Sequence, residues 1–158
     1  MLRKDLKCGW LLTLAVAVPL LAAMVGALAA GADPSRLPVA IEGYSPVSFF
    51  QEGLAQRGDP AFTAVYNGRR YHLRSAEQLA RFKANPRRYE PLFTEHCPYS
   101  LTLGRAVAID PQRFKIVDNQ LLLFHRSEEL DGLEAWNQAD DEQAMLEKAR
   151  SQYTLFRF

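Results

Sequence analysis

Four side chains in this chain are of types that could do chemistry together. His96 and Cys97 are adjacent, and His125 and His72 are the other histidines. A thiolate with neutral imidazoles is a donor set suited to copper or zinc. In that reading Cys97 is the soft ligand, His125 and His96 join it, and His72 is a fourth candidate. A thiol beside an imidazole is also the pair from which a nucleophilic enzyme or a redox component is built, although no carboxylate is marked as the orienting third group. A third reading is bland: Cys97 is a small buried apolar residue and His125 a hydrogen-bonded residue at a core edge. Neighbours in extended backbone point to opposite sides. His96 and Cys97 can therefore share an ion only if the chain turns there, and Pro98 makes a turn plausible.

The elements that must position these residues are two hairpins. Phe62–Tyr66 and Arg69–Leu73 flank Asn67-Gly68, a strong signal for a two-residue turn with two positive φ angles. That register sets Phe62 opposite Leu73, Ala64 opposite Tyr71, and His72 opposite Thr63 on the other face. Phe114–Val117 and Leu121–Phe124 flank Asp118-Asn119-Gln120. With Asp118-Asn119 as the loop, Ile116 faces Leu121 and Phe114 faces Leu123, and His125 ends that apolar face. Ser75-Ala76-Glu77-Gln78 is a capping box, with Gln78 reaching back to a helix start. Its helix carries Leu79 and Phe82 and stops before Pro86. Arg87 to Pro91 is expected as turn or loop. Ser127 is expected to cap a helix holding Leu130, Leu133 and Trp136. Met145, Leu146, Ala149 and Tyr153 recur at helical spacing in a last helix opened by Asp140-Asp141-Glu142. No internal repeat is evident. Hairpins interleaved with short helices predict an α+β fold in a single domain.

The N-terminus is an address. Arg3, Lys4 and Lys7 precede an apolar stretch, residues 10–30, which closes on Ala27-Leu28-Ala29. The expectation is a signal peptide over residues 1–29, or an uncleaved anchor of the same residues in the inner membrane. Either places the rest outside the cytoplasm, in the periplasm, with membrane contact only through the N-terminal segment. Residues 30–38 are expected as a linker and 39–158 as the domain. Cys8 precedes the apolar run, so Cys97 is the single exported cysteine and the domain cannot form an internal disulfide. Lys plus Arg number 19 and Asp plus Glu 18. The leader removes three of the bases and Asp5, which leaves near neutrality and argues against nucleic acid as a partner. With 48% hydrophobic and 23% charged residues, the chain is not of a disordered class. Arg69, Arg70, Arg74, Arg81, Lys83, Arg87 and Arg88 are taken as solvated charge, and Tyr44, Phe49, Phe50 and Tyr66 as packing residues.

Taken in order, Ile41-Glu42-Gly43-Tyr44-Ser45-Pro46-Val47, Phe49-Phe50, the hairpin Phe62–Leu73 with Tyr71-His72, Ser75-Ala76-Glu77, Phe82, Asn85-Pro86, Tyr89, Cys97 and Val117-Asp118-Asn119 with Leu121 and Leu123 resemble the exported YHS-domain proteins of bacteria. The resemblance spans roughly residues 39–153. It implies a small α+β unit and a link to metal handling through cysteines; the exported relatives mostly lack an assigned activity. Ser45 stands where those relatives have Asp. Thr94-Glu95-His96-Cys97-Pro98 replaces their Gly-Gly-Tyr-Cys-Ala run, and the cysteine pair of the metal-ATPase type is missing. The leading expectation is a non-catalytic exported binding domain with copper or zinc at Cys97, His125 and His96. The alternatives are a thiol-dependent enzyme using Cys97 and a partner-docking module without a small ligand.

Overall fold

Asn67-Gly68 forms the expected turn: both residues have positive φ (46° and 70°), as a type I′ turn requires. The computed structural model describes residues 33–156. Expectations placed on residues 1–32, including the signal or anchor segment and Cys8, lie outside the described residues. The fold is α+β, with two antiparallel two-stranded sheets and short helices. In chain order these are α1 (Pro46–Gln51), β1 (Asp59–Tyr66), β2 (Arg69–Leu73), α2 (Ala76–Ala84), α3 (Pro86–Tyr89), α4 (Pro98–Thr102), β3 (Asp110–Val117), β4 (Gln120–Phe124), α5 (Gly132–Asn137) and α6 (Glu142–Phe156).

The hairpin registers are largely as expected. Ala64 pairs with Tyr71 and Thr63 with His72; Ile116 pairs with Leu121 and Phe114 with Leu123. The pairing of Phe62 with Leu73 does not occur. A bulge between Asp59 and Thr63 sets Asp59 opposite Leu73, because an inserted residue shifts everything beyond it. The stretch after Pro86 is a one-turn helix, α3, not a loop: proline fits a first helical position, where its missing N–H is no loss. Asp131, not Ser127, caps α5, its carboxylate accepting from the N–H groups of Leu133 and Glu134. Ser127 instead closes a turn with Leu130. Ser75 caps α2 as expected, accepting from Gln78 N–H, but the Gln78 side chain goes elsewhere, as described below. The end of the expected linker is tied down: Arg70 donates from its N–H to Pro38 O and from Nε to Leu37 O.

The expectation of no internal repeat is overturned, since residues 39–73 and 91–124 build the same unit twice. Val39 bridges Arg70 in parallel, as Pro91 bridges Leu121. Tyr44 N–H turns back to Ile41 O (2.9 Å), as His96 N–H does to Phe93 O (3.1 Å). Within that turn Glu42 and Thr94 are both left-handed (φ 50° and 56°). Tyr44 bridges Arg57, as His96 bridges Ala108. Ser45 N–H reaches Gln56 O at 2.8 Å and Cys97 N–H reaches Val107 O at 2.9 Å. A Pro-initiated helix follows each time, then a long strand opening on Asp-Pro, whose carboxylate accepts from the N–H two residues on. Both long strands carry the bulge at the same place. The sequence retains only Pro46/Pro98, Ser48/Ser100, Gly53/Gly104, Ala55/Ala106, Asp59/Asp110 and Pro60/Pro111 in common. So few identities hide the duplication, because the unit needs apolar character at its core positions more than particular side chains.

Strand β4 joins the two cores. Leu121 and Leu123 face the first, with Val47, Phe49, Tyr71, Leu73 and Phe82. Leu122 and Phe124 face the second, with Phe93, Leu101, Trp136 and Leu146. A strand covered on both sides has no reason to alternate, which accounts for its uninterrupted apolar run. Each of these buried side chains contributes on the order of 1.5–3 kcal/mol through loss of apolar surface to water.

Candidate functional site

Cys97 is the N-cap of α4, with Pro98 as the first helical residue. Its side chain is fully buried in the second core. Helix α5 begins directly against it: a Cβ placed on Gly132 would lie 2.9 Å from Cys97 Sγ and 3.2 Å from His125 O. Gly132 N–H donates to that same His125 carbonyl at 2.9 Å. A glycine at the start of α5 is therefore what lets the helix close over the sulfur. The thiol is packed within a cluster of apolar side chains.

His96 and His125 both meet Ala108. His96 bridges it through the backbone. The His125 ring bonds through Nδ1 to Ala108 O at 2.9 Å; since a carbonyl only accepts, Nδ1 carries a proton, and in the neutral ring the lone pair is then on Nε2. His96 Nδ1 is buried without a hydrogen-bond partner among the described residues, and its ring lies 5.9 Å from that of Tyr153. His72 belongs to the other repeat. It is half-buried, opposite Thr63, and its Nδ1 would lie 3.5 Å from a Cβ on Gly43. Burial, and then the Arg70 charge, hold its pKa below the usual imidazole range, with Asp59 opposing. The structure thus brings the backbone of His125 close to Cys97 across Gly132 and links both His96 and His125 to Ala108, with the Cys97 side chain buried. It does not bring His72 into the same repeat. Among the described residues, no group of three or more His, Cys, Asp or Glu is placed to hold a metal ion.

The position equivalent to Cys97 in the first repeat is Ser45, also fully buried. Its Oγ donates to Gln78 Oε1 at 2.7 Å, and that oxygen also accepts from Arg74 N–H at 3.2 Å. Gln78 Nε2 donates to Ser48 Oγ at 3.2 Å and Glu52 Oε1 at 3.1 Å. Gln78, buried as well, ties α1 and the residue that follows β2 to α2 in one network. The sequence reading missed this role because the capping-box spacing already accounted for Gln78. The echo of Ser45-Pro46-Val47-Ser48 in Cys97-Pro98-Tyr99-Ser100 was the signal that could have revealed it.

A further polar cluster ties β3 to the last two helices. Glu142 Oε1 accepts from Lys115 Nζ at 2.5 Å and Trp136 Nε1 at 2.7 Å, and Lys115 also donates to Asn137 Oδ1 at 3.0 Å. The Lys115 hydrogen bond, above all, holds the Glu142 carboxyl below the usual range, against the opposing effect of burial. Tyr71 is shifted the other way: burial first, then the Glu90 charge, push its phenol up.

No family model matches the chain. No curated protein matches it, nor does any solved structure. Among the described residues no helix is long and apolar enough to cross a membrane.

Proposed function

We propose that residues 39–158 act as a non-catalytic YHS-like binding module, working outside the cytoplasm, in which Cys97 serves packing and not chemistry. The observation that carries this reading is the enclosure of Cys97, fully buried and capped by Gly132. A nucleophilic or redox thiol needs access and a stabilised thiolate. A thiol with apolar packing partners and a helix closed over it is poorly placed for either, so the enzyme reading is the weaker one.

A second reading keeps a metal contact but moves it from sulfur to imidazole. It is favoured by the His125 Nδ1 bond to Ala108 O, since a metal-binding histidine typically donates its other ring N–H to such a carbonyl. Copper or zinc would then be held by His125, with His96 beside it, loosely and in exchange with solvent.

Titration of the full chain with copper(II) and with zinc separates these readings from the thiol-centred one. Cys97→Ser should bind as the unsubstituted protein does. His125→Ala should remove whatever weak binding the imidazole reading provides, and leave the packing reading intact. Metal that survives dialysis in the unsubstituted protein, and is lost in folded Cys97→Ser, would overturn the assignment of Cys97 to packing.

A further inference from the structure

Away from the Cys97 corner, a cavity of about 160 Å³ opens where α3 meets the β3–β4 turn. Its lining includes Arg87, Arg88, Glu90, Leu92, Asn119 and Gln120. Two arginines thus line one concavity, and neither has an ion-pair partner among the described residues. Glu90 lines the same cavity, but its carboxylate is engaged. Asn67 Nδ2 donates to both oxygens at 3.1 and 3.0 Å, and Tyr71 OH approaches Oε1 at 3.4 Å. Arg88 is held in place by the faces of Phe50 and Tyr89, 5.3 and 5.8 Å from the ring centroids. The Gln120 amide oxygen is taken by Arg150, which leaves Gln120 Nε2 as a donor. Asn119 holds the second turn position.

We infer that this cavity is a binding site for a small phosphate-type oxyanion, held by Arg87 and Arg88 with amide donors from Asn119 and Gln120. Guanidinium is the side chain best matched to such an oxyanion, through paired N–H donors. An anion there would meet two formal positive charges against the one negative charge of Glu90, whose oxygens already face Asn67 and Tyr71. The volume of about 160 Å³ admits a phosphate with its first waters. A free phosphate and the headgroup of a phosphomonoester lipid share this chemistry, and the two arms of the test distinguish them.

The test is titration of the full chain with inorganic phosphate at constant ionic strength, followed by amide NMR shifts. Saturable shifts are expected at Leu92, Asn119 and Gln120. Arg87→Gln should weaken binding by about tenfold, the loss of one charge-assisted contact pair, and Lys83→Gln on α2 should leave it unchanged. Arg87 carries the test alone should Arg88→Gln disturb the aromatic stacking. Vesicles of phosphatidylcholine with phosphatidic acid form the second arm. Shifts that fail to saturate, an Arg87→Gln affinity equal to that of Lys83→Gln, or binding to the vesicles without binding to phosphate would each overturn the proposal.

Discussion

Ser45 and Cys97 hold the same place in two copies of one structural unit. Each precedes a Pro-initiated helix, each backbone N–H bonds the segment leading to a long strand, and each side chain is fully buried. They differ in what meets them. Ser45 faces the polar Gln78, and Cys97 faces the bare backbone of Gly132. One unit solves the site with a hydrogen bond, the other with close packing.

The contact between Cys97 and Gly132 predicts a measurable coupling. Gly132→Ala should destabilise the domain by about 1–3 kcal/mol, the usual cost of overpacking. In a Cys97→Ala background the same change should cost markedly less, because the 2.9 Å obstruction is the sulfur. Urea denaturation of the four proteins of the cycle gives the coupling. Equal costs in both backgrounds would show that sulfur and helix start do not press on each other.

In the first repeat, removing the partner should hurt more than removing the hydroxyl. Ser45→Ala leaves Gln78 Oε1 still accepting from Arg74 N–H, so a loss of about 1 kcal/mol is expected. Gln78→Leu strands Ser45, Ser48 and Arg74 N–H together and should cost roughly 2–3 kcal/mol or more. Thermal melts of the two variants rank them, and the opposite order would contradict the network.

Acid should weaken the fold in two steps. The pKa of His72 is lowered on folding, so its neutral form is the native one; stability present above pH 6.5, its unshifted value, falls as pH drops toward the folded pKa. Glu142 is also lowered. Its contribution is present above pH 4.5, its unshifted value, and is lost as pH falls through the folded value below that. Denaturant midpoints measured across pH should show the upper step vanish in His72→Gln and the lower step vanish in Glu142→Gln. Steps that survive those substitutions would assign the effects to other groups.

Glu42 lies in a left-handed turn between two other positive-φ residues, Ile41 and Gly43. Its side chain is exposed, and its carbonyl accepts from Arg57. A left-handed conformation costs an L-residue about 1–2 kcal/mol, so Glu42→Gly should be neutral to stabilising despite the added entropy of the unfolded chain. Glu42→Val should destabilise by at least about 1 kcal/mol, since a branched Cβ suits that region worst. Calorimetric melting of both variants checks this; a stabilising valine would be inconsistent with the turn.

The sequence made the parts legible where local physics decides them. Asn67-Gly68 specified its turn, Ser75 its cap and Pro86 the end of α2, each through neighbours a few residues away. The bulges escaped notice because one extra residue leaves no mark on composition. The repeat was hidden because its two copies agree in backbone and burial, with few shared residues. At the candidate site, the order of elements already suggested that the chain at His125 ends beside Cys97, and its backbone carbonyl does lie with the Cys97 sulfur against Gly132. The inward turn of the sulfur was not legible, because it depends on α5 arriving at Gly132, 35 positions further along the chain.

The most direct test of the account is the rate at which iodoacetamide alkylates Cys97 in the native protein, compared with the unfolded chain under the same conditions. A packed thiol reacts only through opening of the fold, so protection of several orders of magnitude is expected, tracking the stability measured by denaturation. A native rate close to the unfolded one, in protein that is otherwise fully folded, would place the sulfur within reach of solvent and contradict the assignment of Cys97 to packing.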